Sequence, residues 1–413
     1  MDRPIYLAQL IRKRGNGMIK VVTGIRRCGK SYLLFELFYR WLLEQGVPDD
    51  RIIRLALDDR RNKRFRDPDA LCEYVYSAVS GEGTYYILLD EVQMAAEFED
   101  VLNSFLHIPN ADVYVTGSNA KFLSKDIITE FRGRGDQIHL YPFSFAEFMS
   151  ARGGDEREGW QKYVMYGGLP MLLSMESDQD KAAYLKDLYE ETYLRDIRER
   201  NDIRHPAELD ELLNMISSSI GSLVNPKKLS DTFMSLKKVS LCPETIGRYL
   251  EYLEDAFLIS RARRYDVKGK RYIGTPYKCY FTDVGLRNAR LNFRQIEETH
   301  LMENILYNEL LIRGYNVDVG MVEYSYYDEN KKRVQKQLEV DFVCNRGYTR
   351  VYIQSALSLP SAEKMEQEQR PLKRIPDGFR KVIIAKDAPT HCNEDGILIL
   401  NLFDFLLDRG NIE

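Results

Sequence analysis

Short apolar runs alternate with helically spaced ones through the first third of the chain. Met18 to Thr23 reads MIKVVT, Ile52 to Leu57 IIRLAL, Thr84 to Gln93 TYYILLDEVQ, and Asp112 to Thr116 DVYVT. Runs this short, apolar at the centre and polar at the ends, predict strands buried on both faces of a parallel sheet. Between them YLLFELFYRWL, from Tyr32, repeats apolar residues at helical spacing, and Pro68 to Ala78 predicts another helix. A further strand begins at Ile138 to Leu140. The later pattern is different. Lys181 to Arg204 predicts a mixed-charge helix, followed by helices over Glu208 to Ile220, Asn225 to Met234 and Pro243 to Ala256. Ile246, Tyr249, Leu250 and Leu253 form the apolar stripe of the last of these. Leu258 to Tyr265 and Lys278 to Thr282 then predict a hairpin. From about Thr299 a helix carrying Glu303 and Glu309 leads into the strands Gln337 to Asn345 and Arg350 to Leu359.

With 413 residues, 44% of them hydrophobic and 11% aromatic, the chain predicts two or three folded domains and excludes disorder as its main state. The 26 glycines show no period, which excludes a collagen-like fibre. A net charge of -4 excludes a uniformly basic coat but leaves room for a local basic groove. The 6 cysteines are too scattered for a CxxC zinc site or a small disulfide scaffold. No apolar run approaches the roughly 20 residues of a membrane span, and no leader pattern is seen at the start. The expectation is a cytoplasmic protein with no membrane partner.

The chemistry concentrates where strands end. GIRRCGKS, Gly24 to Ser31, sits between a predicted strand and a predicted helix and completes the GxxxxGKS pattern of a phosphate-binding loop. Gly24 and Gly29 let the backbone wrap a polyphosphate. Lys30 is expected on the β and γ phosphates and Ser31 on magnesium. Ile25, Arg26, Arg27, Cys28 and Tyr32 complete the expected nucleotide-binding set. Arg26 and Arg27 either add charge beside the phosphates or point outward to a carboxylate or nucleic acid. Cys28 either fills the loop or, if exposed and acidic, senses oxidation. Asp90 is the expected partner of magnesium and Glu91 the group that orients the attacking water. Thr116, Ser118 and Asn119 end the next strand. Ser118 or Asn119 is the candidate sensor of the γ phosphate, with a plain turn as the alternative. Arg132 or Arg134 either completes a neighbouring copy's site as an arginine finger, which implies a homo-oligomer, or is surface charge. No Asn-Lys-x-Asp element follows a strand in the proper place, so ATP is favoured over GTP. The Asp-Glu pair favours hydrolysis over transfer to a small acceptor.

These motifs, with YPFSFAEF at Tyr141 to Phe148, YGGLP at Tyr166 to Pro170 and ETYLRDI at Glu191 to Ile197, make the chain resemble a family. It is similar to the prokaryotic AAA+-superfamily ATPases whose P-loop reads GIRRxGKS and whose C-terminal domain is uncharacterised, of the DUF4143 type. The resemblance implies ATP and Mg2+ as cofactors, Asp90 and Glu91 as the Walker B pair, Ser118 or Asn119 as first sensor and Arg132 or Arg134 as the inter-subunit arginine. It names no target.

The implied fold class is α/β: a P-loop NTPase (AAA+-like) parallel sheet over 1–205, a winged-helix module over 206–290 and an α/β restriction-endonuclease-like domain over 291–413. The winged-helix reading rests on three helices followed by a hairpin, with Pro243 to Ala256 in the recognition position. Lys237, Lys238, Arg248, Arg261, Arg263, Arg264, Lys268, Lys270 and Arg271 make this region basic, but Glu244, Glu251, Glu254 and Asp255 share its helix. DNA and protein both stay open as partners.

In the last region Asp341 matches the metal-holding acid of an active nuclease. The Glu-x-Lys element of the next strand falls on Gln354, Ser355 and Ala356, so both of its functional side chains are missing. A degenerate nuclease-like set, Glu303, Asp341 and Gln354, is therefore expected without cleavage, unless Lys364 or Lys373 moves into place. The expected function is magnesium-dependent ATP binding and hydrolysis, coupled to conformational control of DNA- or protein-binding C-terminal modules. The alternatives are an ATP-gated binding module with little turnover and a nuclease-related effector.

Overall fold

The computed structural model describes residues 2–117, 133–203, 205–237, 241–327 and 333–412. Ser118, Asn119, Arg132 and Lys238 lie outside the described residues. The chain forms two compact units, one of residues 1–142 with 169–171 and 255–257, the other of the rest. Among the described residues no helix is long and apolar enough to cross a membrane. The six cysteines are free thiols.

The first unit runs α1 (Pro4–Arg12), β1 (Ile19–Thr23), α2 (30–44), β2 (Ile52–Ala56), α3 (Pro68–Ala78), β3 (Tyr85–Asp90), α4 (Phe98–Phe105), β4 (Ala111–Thr116) and β5 (Gly135–His139). Its strands are all parallel, in the order β2-β3-β4-β1-β5. Every residue of β1 and β3 is buried, as the absence of polar alternation in their sequences requires. Ile19, Val21, Ile87, Leu89, Val113 and Val115 form one core layer with Leu71 and Val75 of α3 and Leu102 and Phe105 of α4. Lys20 points into the sheet's other face, where Asp112 pairs with it and accepts from the Tyr114 hydroxyl at 2.8 Å. α3 starts at Pro68 because Asp67 caps it, accepting from the Ala70 amide. Parallel strands deliver all their carboxyl ends to one edge, so the loops after β1, β2 and β3 gather there.

The second unit opens with α5 (Phe145–Arg152), α6 (Glu156–Tyr166) and a long helix α7 (178–200). Ser144 and Glu147 close a reciprocal capping box at the start of α5. Then come α8 (Pro206–Ser218), β6 (Leu223–Val224), α9 (Pro226–Thr232), α10 (Pro243–Asp255) and the hairpin β7 (Ile259–Asp266) and β8 (Arg271–Phe281). The hairpin is longer than its apolar pattern predicts, because its tip is polar and exposed. After α11 (Val284–Arg290) and α12 (Glu298–Ile312) come β9 (Asn316–Tyr327), β10 (Arg333–Arg346), β11 (Thr349–Ala356), α13 (Ala362–Lys373), β12 (Arg380–Ala385), β13 (His391–Cys392), β14 (Leu398–Asn401) and α14 (Leu402–Leu407).

The strands of this unit form one nine-stranded mixed sheet, β13-β14-β12-β11-β10-β9-β7-β8-β6. Parallel pairing of β7 with β9, Arg264 against Val319 to Asp266 against Met321, makes the hairpin continuous with the later strands. α12 packs on one face through Leu301, Ile305 and Leu306, and α13 on the other through Leu372. The pairing of β10 with β9 slips between Val340 and Val343, a bulge that contains Asp341. Gly320 stands opposite it: a Cβ there would lie 2.8 Å from both Val340 and Val343.

Candidate nucleotide site and a lysine-filled acidic cluster

The loop after β1 turns at Gly24, whose φ of +143° and position leave no space for a side chain. A Cβ there would meet the Leu140 carbonyl oxygen at 2.2 Å. Arg27 and Gly29 also have positive φ, +66° and +101°, so the backbone curls before α2 begins. Lys30 is 4% exposed, and its ammonium donates to the Gly24 and Ile25 carbonyls at 3.0 and 3.1 Å. It therefore rests on neutral acceptors inside its own loop. Ile25 and Cys28 are fully buried beneath, and Arg3 donates to the Cys28 carbonyl at 3.2 Å. Burial pushes the Cys28 thiol up, despite the charges of Lys30 and Arg3. Cys28 thus fills the loop and lacks the acidity a redox sensor needs.

Asp90 ends β3 and is nearly buried. Burial raises its carboxyl above the usual range, while hydrogen bonds from Thr116 and Ser31 pull it back. The Thr116 hydroxyl, from the neighbouring β4, donates to Asp90 and accepts from the Glu91 amide at 3.1 Å. Glu91 itself has φ +51° and takes a hydrogen bond from the Gln93 side chain. An open cavity of about 530 Å³ lies over this edge, lined by Arg26, Arg27, Lys30, Ser31, Tyr32, Asp58, Glu91, Gln93 and Pro170 among others. Cations of the loop thus share it with the carboxylates of two strand ends. Asp58 and Gln93 had no role in the sequence reading, although Asp58 follows β2 as Asp90 closes β3. Pro170, from YGGLP, lies 4.0 Å from where a Gly29 Cβ would be.

Arg134 sits elsewhere. Its carbonyl accepts from the Ile19 amide, so it precedes β5 at the amino edge of the sheet. The five residues of β1 separate it from the loop, about 16 Å at strand spacing. Arg134 is exposed and does not line its own chain's cavity.

The second cluster lies in the nine-stranded sheet. Lys278 of β8, 3% exposed, extends its ammonium to Glu303 of α12 at 2.8 Å, Glu339 of β10 at 2.7 Å and Asp341 of β10 at 3.9 Å. The Tyr280 hydroxyl donates to Glu303 at 2.5 Å, and the Ser355 amide to Asp341 at 2.8 Å. The Asp341 amide donates to the Gln354 side-chain oxygen at 3.4 Å. Glu303, Asp341 and Gln354 are thus brought together. Lys364 and Lys373 are not part of the group; they pair with Glu368 and with Glu366 and Asp395. The cation present is Lys278, which sequence reasoning missed. Its one signal was a lone lysine next to the apolar Cys279, Tyr280 and Phe281. Among the described residues no group of three or more His, Cys, Asp or Glu side chains is arranged to hold a metal ion.

Residues 16–149 match the family model described as an AAA domain, and residues 157–297 match a domain of unknown function, DUF8612. The uncharacterised domain is therefore of this type and not the DUF4143 type expected from the motifs, which mark the ATPase half more sharply than the C-terminal half. An Aeropyrum pernix Orc1 protein, solved in complex with DNA, aligns over 69% of this chain and 91% of its own at 12% identity and a TM-score of 0.29, too low for any argument. An uncharacterized Methanocaldococcus jannaschii protein, MJ1544, is 26% identical over 348 residues, 78% of this chain and 75% of that one. An uncharacterized protein of Haemophilus influenzae is 31% identical over 414 residues, 98% of each chain. The chain belongs to the family of that Haemophilus influenzae protein, and in it an AAA-type NTPase domain is fused to an uncharacterised C-terminal region containing DUF8612.

Proposed function

We propose that the protein binds Mg2+-ATP in the cavity above β1 and β3, hydrolyses it, and uses the nucleotide state to set the conformation of C-terminal modules that contact DNA or protein. The observation that carries this reading is the shared cavity, with Lys30, Arg26 and Arg27 on the loop side and Glu91 and Asp58 on the strand side. The residues fit the cofactor. Mg2+ takes hard oxygen ligands, and the Ser31 hydroxyl beside Asp90 supplies that chemistry. Backbone amides at the start of α2 suit phosphate oxygens. Lys30 exchanges its carbonyl acceptors for phosphate. Glu91 orients water, once Gln93 releases or shares its carboxylate. Arg134 acts, in this reading, only on a second copy of the chain, so turnover depends on assembly.

The order helix, short strand, helix, helix, hairpin from α8 to β8 supports a winged-helix module, with β6 and β7 both paired to β8. The exposed positions of α10 are Glu244, Arg248 and Glu251, whereas the hairpin tip exposes Lys268, Lys270 and Arg271. Charge therefore favours nucleic-acid contact by the hairpin and protein contact by the helix. The test is steady-state ATP hydrolysis by the full chain across protein concentrations, with and without double-stranded DNA. The expected result is Mg2+-dependent turnover per chain that rises with concentration. Absence of ATP binding by the folded chain in calorimetry would overturn the reading.

A further inference from the structure

A nuclease-like core needs a divalent cation beside its strand carboxylate. The residues gathered around Asp341 do not accept one, because a cation of the chain already stands there. Lys278 offers three N–H donors, and Glu303, Glu339 and Asp341 face them at 2.8, 2.7 and 3.9 Å. A divalent ion sits roughly 2.0–2.6 Å from its oxygens. It would have to enter the space held by the ammonium and repel it at contact distance.

Further polar groups of the chain engage the same carboxylates. Tyr280 donates to the same Glu303 oxygen that Lys278 uses, the Ser355 amide donates to Asp341, and the Gln354 oxygen faces the Asp341 amide. Ala356 contributes no polar atom. The bulge at Asp341 fixes its carboxylate toward the lysine, the re-aiming that bulges bring about. Lys278 of β8 stands in register with the short Ala262 of β7 on one side and Leu223 of β6 on the other. Glu339, with 36% of its side chain exposed, opens the cluster to solvent.

We propose that this cluster is a cation seat filled by Lys278, whose ammonium replaces a divalent metal, closes the region to metal-dependent phosphodiester cleavage and ties β8 to α12 and β10. Removing the ammonium while keeping the carboxylates makes the seat a binding site for a hard, oxygen-preferring cation. This inference does not depend on ATP turnover.

The probe is Tb3+, a hard cation whose luminescence is sensitised by a nearby tyrosine; Tyr280 is bonded to one of the carboxylates. The full chain is titrated as wild type, Lys278→Met, Lys278→Gln, Lys278→Arg and Asp341→Asn, with Asp341→Asn also combined with each neutral substitution. Any ion bound at the nucleotide site is common to all of them. Wild type and Lys278→Arg are expected to show no signal that Asp341→Asn removes. Lys278→Met, or Lys278→Gln if the methionine variant does not fold, is expected to gain a site with affinity on the order of 10⁻⁴ to 10⁻³ M, the range of weak all-oxygen calcium sites. Asp341→Asn in that background should weaken it at least about tenfold, and Ca2+ should compete. An Asp341-dependent signal in wild type overturns the proposal, as does a folded neutral variant with no gain. If neither neutral variant folds, the comparison of wild type with Asp341→Asn decides alone.

Discussion

Two buried lysines face two groups of carboxylates in this molecule, and the outcomes are opposite. Lys30, 4% exposed, donates to main-chain carbonyls of its own loop, while Asp58 and Glu91 line the cavity beside it. Lys278, 3% exposed, donates to the carboxylates themselves. An ammonium bonded to a neutral carbonyl lacks the opposite charge that an ammonium–carboxylate pair adds, so it is the more readily exchanged of the two. In the function proposed, an arriving phosphate therefore outcompetes the carbonyls around Lys30. No anion outcompetes the carboxylates around Lys278, which are close and held by the sheet. The same residue types make an open site where lysine and acid face a common space, and a closed one where they face each other.

The largest expected effect comes from replacing each lysine by methionine. Lys278→Met leaves Glu303 and Asp341 buried without their cation, which for a broken buried pair costs about 3–5 kcal/mol. Urea unfolding of the second unit should show that loss. Lys30→Met removes two hydrogen bonds to neutral carbonyls and leaves no buried carboxylate without its cation, so its stability cost should be the smaller, about 1–3 kcal/mol. Its Mg2+-ATP affinity, measured by calorimetry, should fall at least about 100-fold, since the charged contacts to phosphate are lost. Equal destabilisation by the two substitutions, with nucleotide binding unchanged in Lys30→Met, would break the contrast.

How much of this was legible divides along the same line. GIRRCGKS and LLDEVQ are local motifs: a few consecutive residues fix both backbone path and side-chain chemistry, so the loop, Asp90 and Glu91 could be placed without a structure. The parallel strands were equally plain, because burial on both faces removes polar alternation. The lysine cluster joins residues 278, 303, 339 and 341 from two strands and a helix, and no spacing rule links them. Asp341 and Glu303 were found through a pattern, but Lys278 came from a hairpin whose β7 pairs with β9 far along the chain. That pairing is a tertiary event. Arg134 shows the converse: its motif suggested a site, and only the parallel register places it at the amino edge, away from its own loop.

A second effect sharpens the contrast between the two acid groups. Glu91→Gln should lower single-turnover hydrolysis roughly 10²–10³-fold, within the range for a lost general base, while ATP affinity changes less than a few-fold. Glu339→Gln, in the lysine-filled cluster, should leave the turnover number unchanged. Equal turnover in wild type and Glu91→Gln removes Glu91 from its role. A drop in Glu339→Gln would mean that the second cluster takes part in the ATPase cycle.

The smallest effect separates the units by pH. His139 ends β5 beside Thr23, with Nδ1 3.2 Å from the hydroxyl. Burial, and then the charge of Lys30, lowers it to about 4 from 6.5. The folded state thus binds fewer protons than the unfolded state between these values. The stability this contributes is complete above about 6.5 and is lost as pH falls through 4, at most roughly 3 kcal/mol. Asp283 of the second unit has the opposite sign. Burial raises it from 3.8 to about 6, against hydrogen bonds from the Gly168 and Leu286 amides. Its folded state binds more protons, so its contribution declines as pH rises from 3.8 through 6. His139→Gln should flatten the acid limb of the first unit's unfolding and leave the second unit's limb intact. In Lys30→Met the His139 ring should titrate higher, followed by its NMR Cε1–H shift, because one of the two causes of its low value is gone. A ring that titrates near 6.5 in the wild type would detach His139 from both Lys30 and the acid limb.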